Sequence, residues 1–160
     1  MTPLYGYDAQ VADFVSWRIF GRPGAFRDYA AIGFLEHGRL KAGTVFHNHY
    51  PECGIIEMSS ASESARWLDR PTLRAIFVYP FADLGCQTVV MRVSERNERM
   101  CGIARRFGFA ETRIPRLRGR DEDEMIYTLT DDVFFAKWAG ALGLKGMSNG
   151  QVFPVTADTA

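Results

Sequence analysis

The chain has 160 residues and a mass of 18.0 kDa, enough for one domain with a substantial core and little room for a second. Hydrophobic residues make up 47% and charged residues 24%, which excludes a disordered tail, a collagen-like repeat and a disulfide mini-protein. Nineteen basic residues balance nineteen acidic ones, so a uniformly basic nucleic-acid surface is not expected, although only Lys41, Lys137 and Lys145 of the cations are lysines.

Asp8 opens an amphipathic stretch with Val11, Phe14, Val15, Arg18 and Ile19 at helical spacing, stopped by Gly21-Arg22-Pro23-Gly24. Residues 30–36 and 39–47 are apolar runs around His37-Gly38, a hairpin signal. Pro51 marks a second turn, and residues 54–58 form a third strand of the same meander. Leu73, Ile76, Phe77, Pro80, Phe81 and Leu84 share one helical face, so a helix is expected over 72–84. Asp69 caps it, Pro71 lies in its first turn, Pro80 kinks it and Gly85 ends it. Residues 87–93 are apolar on both faces and belong mid-sheet, completing a βαβ unit. Asn97 caps a further helix that carries Met100, Ile103, Ala104 and Phe107 and stops at Gly108, with Phe109 packing back. Glu111–Leu117 and Glu124–Leu129 form a last hairpin. Thr130 or Asp131 then caps a helix bearing Val133, Phe134, Trp138 and Leu142. The expected domain is 1–143, and 144–160 read as a loosely held tail.

The segment Asn97-Glu98-Arg99-Met100 through Gly108-Phe109 resembles the fifth strand's end and the following helix of the GNAT superfamily of acyl-CoA-dependent N-acyltransferases. Asn97, Met100, Gly108 and Phe109 match its register, and the element order from Ala30 to Trp138 agrees. The texture is similar to a divergent branch carried by phages and prophages. The resemblance implies an α/β fold: a mixed central sheet, antiparallel meander plus βαβ unit, flanked by helices. It implies acetyl-CoA as acyl donor and a small-molecule or protein amine as acceptor. It also implies that strands Gly54–Ser60 and Gln87–Val93 splay apart, with the donor's pyrophosphate near the start of the following helix. Two features depart from the family pattern. No glycine lies between Gly54 and Gly85, where its loops carry a Gly-rich signature, and Ala104 stands where many members have a general-acid tyrosine.

On this basis Glu57 is the candidate general base, with a half-exposed strand glutamate as the bland reading. Backbone at Met58, Ser59 and Ser60 orients the thioester. Arg66 and Arg70 hold phosphate. Asn97 contacts cofactor or acceptor, and His47 or His49 serves the acceptor side. His47, His49, Glu52 and Cys53 suggest zinc, but three ligands from one tight turn are awkward and no metal is expected. The arginines at 105–120 are answered by Asp121–Glu124, which reads as local charge pairing and argues against a nucleic-acid partner. Three sparse cysteines, no signal peptide and no apolar run near ~18 residues imply a reducing cytoplasm and no membrane span. A homodimer is compatible with all of this. The competing expectation is a non-catalytic module of the same fold that binds a protein or nucleic acid.

Overall fold

A computed structural model describes residues 1–147. Seven strands form one sheet in the order β1-β2-β3-β4-β5-β7-β6. The strands are β1 Thr2–Leu4, β2 Ala30–Glu36, β3 Arg39–Tyr50, β4 Ile55–Ser62, β5 Thr88–Ser94, β6 Ala110–Ile114 and β7 Glu124–Thr130. Four helices flank them: α1 Asp8–Phe20, α2 Arg70–Val78, α3 Glu98–Phe107 and α4 Asp131–Trp138. Every ladder is antiparallel except β4 with β5.

The meander forms where the sequence directs it. His37 and Gly38 both adopt positive φ, the geometry of a two-residue hairpin turn, and Glu36 pairs with Arg39 across it. Helix α1 covers one sheet face through Val11, Ala12 and Val15, which pack with Ala31 and Val45. Gly43 permits that close approach, since a Cβ there would sit 2.7 Å from Val11 Cγ1. The larger core lies on the other face. There Phe34, Phe46, Ile56 and Val89 meet α2, α3 and α4 through Ile76, Phe77, Ala104 and Phe134.

Three differences from the sequence reading have physical causes. The expected helix over 72–84 is an α-helix only to Val78. Pro80 has no N–H to donate, and the chain widens into a π-helical turn, Tyr79–Asp83, in which Leu84 N bonds Tyr79 O at 3.0 Å. Strand β1 is not expected from the sequence, because three residues carry no periodicity. It holds Pro3 on the sheet edge, where a missing donor does little harm. At the start of the expected tail Leu144 is buried, and just before it Arg74 Nη1 donates to the Leu142 and Gly143 carbonyls. The rest of that tail, 148–160, lies outside the described residues. No helix among the described residues is long and apolar enough to cross a membrane.

Candidate functional site

The site begins where the parallel ladder ends. Gly54, at φ +64, turns its carbonyl to Gln87 N (2.8 Å) and Thr88 N (3.2 Å), and this joins β4 to β5 at one end. Only three pairs follow: Ile55 with Thr88, Ile56 with Val89, Glu57 with Val90. Beyond them β4 stays on β3 as far as Ser62, and β5 stays on β7 as far as Ser94. Each strand follows its antiparallel partner, so the two diverge. The facing backbone of residues 58–62 is left without a strand partner. A cleft of about 1590 Å³ opens there and passes through the sheet.

Strand alternation divides the cleft into two sides. Met58 and Ser60 face the larger core, alongside Leu73, Met100, Phe107 and Trp138. Trp138 stacks on Phe107 at 4.3 Å and donates to the Phe107 carbonyl, so a flat apolar wall is fixed there. Glu57 and Ser59 face the α1 side, with His47, Phe26, Arg27 and Arg92.

Glu57 is half-buried rather than set among the apolar residues that flank it in sequence. Ile56 and Met58 point into the core, and alternation turns Glu57 to the opposite face. It accepts from Asn48 Nδ2 at 2.9 Å. Asn48 reaches it because β3 is irregular between His47 and Tyr50 and Asn48 takes φ +48, a conformation asparagine tolerates. His47 lies directly across the ladder from Glu57. Its Nε2 shares a 2.9 Å hydrogen bond with Ser59 Oγ, and its ring lies 5.0 Å from that of Phe26. Burial pushes the His47 imidazole below its ordinary value of 6.5; Glu57 pulls it up and Arg92 pushes it down. The His47 imidazole is therefore neutral near neutral pH, across the ladder from Glu57.

The cleft gathers most of the expected residues: His47, Glu57, Met58, Ser59, Ser60, Arg66 and Asn97 all line it. Asn97 also caps α3, its Oδ1 accepting from Met100 N at 3.1 Å. Two expected residues lie elsewhere. His49 is exposed in the irregular stretch of β3 and does not line the cleft. Arg70 does not line it either; its guanidinium lies toward Gly143, because the first turn of α2 faces the 142–144 segment. The start of α2 also differs from a free anion site. Pro71 has no N–H, Thr72 N is held by Asp69 Oδ1 at 3.0 Å, and Asp69 itself pairs with the Met1 ammonium. The cations beside the opening are instead Arg66, Arg99 and Arg106. Arg99 Nη2 ties the start of α3 to the Ala65 carbonyl at 2.8 Å.

Glu124 and Arg118 pair within the hairpin as the sequence reading expects, but that reading missed Arg92, which joins them on the α1 side. The signal was available in the strand parity of Arg92 and Glu124, but only once β7 is known to pair with β5. The other hairpin charges do pair locally, Arg113 with Asp123 and Glu95, and Arg105 with Glu111. Among the described residues, no tyrosine or cysteine lines the cleft, and Ala104 is fully buried. Among the described residues, no group of three or more His, Cys, Asp or Glu side chains is arranged to hold a metal.

No protein-family model and no curated protein matches the chain. Solved acetyltransferase structures do share its fold. A variant of spermidine N-acetyltransferase from Vibrio cholerae superposes with a TM-score of 0.67 at 10% identity, over 88% of this chain and 99% of that one. A probable acetyltransferase matches at 0.56 and 21% identity, over 65% of this chain. A ribosomal-protein-S5-alanine acetyltransferase from Vibrio fischeri matches at 0.57 and 10%, over 65% of this chain. This chain spans just under two thirds of the last two, 63% and 62% of their lengths. The fold is the one these solved acetyltransferases share, a mixed α/β sheet flanked by helices.

Proposed function

We propose that the chain is an N-acyltransferase that moves an acetyl or related acyl group from acyl-CoA to a primary amine on a small molecule or protein. The observation that carries this reading is the β4–β5 ladder, which stops after three pairs and opens a cleft running through the sheet to Glu57 and His47. The donor's extended arm fits the unpaired edge at Met58–Ser60. Arg66, with Arg99 and Arg106 in place of Arg70, supplies guanidinium forks for its phosphates. Asn97, at the mouth of the same opening, contacts the donor. Divergence from the Gly-rich loop is in keeping with a phage-like branch of the superfamily.

On the acceptor side, Glu57 takes a proton from the incoming ammonium, directly or through water, so that the free amine attacks the thioester carbonyl carbon. His47, held neutral, adds no positive charge to oppose the amine's approach. The carbon–nitrogen bond forms, the acylated nitrogen releases its remaining surplus proton to water, and the carbon–sulfur bond breaks. With no tyrosine or cysteine among the described residues of the cleft wall, water passes that released proton to the departing thiolate. Three free cysteines suit a reducing cytoplasm. Exposed Trp17 and Phe20 on α1 suit a homodimer.

Acetyl-CoA at a hundred times its Kd adds ~2.7 kcal/mol of stability, which raises the melting temperature of a chain this size by roughly 5–10 °C. That rise, with acetyl transfer to an amine, is the expected result. No shift at millimolar acetyl-CoA would overturn the transferase reading and return the chain to a non-catalytic binding module.

A further inference from the structure

Arg92, Arg118 and Glu124 form a preorganised unit on the α1 side of the cleft. The Glu124 side chain is 1% exposed, and each of its oxygens takes a guanidinium. Oε2 accepts from Arg92 Nε at 3.0 Å and Nη2 at 2.5 Å, and Oε1 accepts from Arg118 Nε at 2.8 Å. Two cations on one buried carboxylate leave one net positive charge. Arg92 Nη1 and both terminal nitrogens of Arg118 have no partner among the described residues, while the two side chains stay 46% and 33% exposed and line the cleft. The buried carboxylate fixes both forks with their free edges available to solvent.

The position matters as much as the charge. Arg92 lies two residues beyond Val90, the ladder partner of Glu57, and is close enough for the two charges to feel each other. Glu57 offsets one positive charge on this side, but cations remain in excess. Glu63 is taken by Arg18 and Lys41, and Arg27 lines the cleft with no partner among the described residues. A polyamine entering here would meet guanidiniums in excess, whereas a carboxylate would meet a fork shaped for it.

We infer that the Arg92–Glu124–Arg118 clamp binds a carboxylate on the acceptor, so that the acceptor is a small amino-acid-type molecule carrying amine and carboxylate together. The inference rests on the acyl-transfer reading of the same cleft. Glu124 is a positioning residue, and the two arginines make the contact.

The test measures binding in the presence of CoA by calorimetry, and kcat/KM with acetyl-CoA. The probes are α- and ω-amino acids, the matched amines lacking the carboxyl group, phosphoethanolamine and spermidine. The amino acids should be preferred over their matched amines at least tenfold. Arg92→Lys and Arg118→Lys, which keep the charge and lose the fork, should each cut that ratio at least fivefold, with melting temperatures confirming that both variants fold. A preference for spermidine, for carboxyl-free amines or for phosphoethanolamine, or a ratio unmoved by both variants, overturns the clamp. Arginine-dependent amino-acid binding without transfer upholds the clamp and removes the transferase; transfer to carboxyl-free amines alone does the reverse.

Discussion

Glu57 and His47 face each other across β3 and β4 in different surroundings. Glu57 keeps solvent access and a hydrogen bond from Asn48, whereas His47 is buried against Phe26. Glu57→Gln should lower kcat by ~10²-fold or more, the usual contribution of a general base, while acetyl-CoA still raises the melting temperature. An unchanged kcat removes Glu57 from the mechanism. His47 makes a separate prediction about stability. Its folded value lies below 6.5, so below about pH 6.5 the unfolded chain takes up a proton that the folded chain refuses. Stability therefore falls as pH drops from 6.5 toward the folded value. Melting temperatures between pH 8 and 5 should fall less steeply for His47→Gln than for the parent; identical slopes contradict the account. Both residues were legible as candidates from sequence, since strand position and residue type suffice to nominate them. What stayed hidden was that Arg92 joins the local Arg118–Glu124 pair, because it lies 32 residues before Glu124 and meets it only through the β5–β7 ladder.

At the scale of elements, the divergence of β4 from β5 and the start of α3 define the opening. Asn97 serves both, capping α3 and lining the cleft. Asn97→Ala should cost about 1 kcal/mol, or roughly 2–4 °C in melting temperature. Asn97→Asp keeps the cap, so its melting temperature should match the parent's. It should nonetheless raise the KM for acetyl-CoA, since a carboxylate then faces an anionic ligand. An unaltered KM would leave Asn97 as a cap alone. Element type was legible wherever periodicity was long: α1, the β2–β3 hairpin, β5, α3 and the final hairpin lie where their patterns put them. The π-helical turn was legible only as a kink, because Pro80 announces a lost donor but not the wider turn that absorbs it. The inactive start of α2 was not legible, because Asp69 reads as an ordinary cap until Met1 is seen beside it.

Across the whole molecule, a net charge of zero conceals an uneven distribution. Seven arginines but only three glutamates line the cleft, so the balancing acids lie elsewhere. A neutral protein thus presents an electropositive groove, suited to a ligand with several negative charges. No count along the chain reveals this, since the arginines come from α1, the loops, β5 and α3. The central claim is that the opening between β4 and β5 receives acyl-CoA along the unpaired edge of β4. Amide hydrogen exchange with and without acetyl-CoA tests it most directly. The account predicts slowed exchange concentrated in residues 58–68 and at the start of α3. Unchanged exchange there at saturating acetyl-CoA, or protection confined to another face of the sheet, would contradict it.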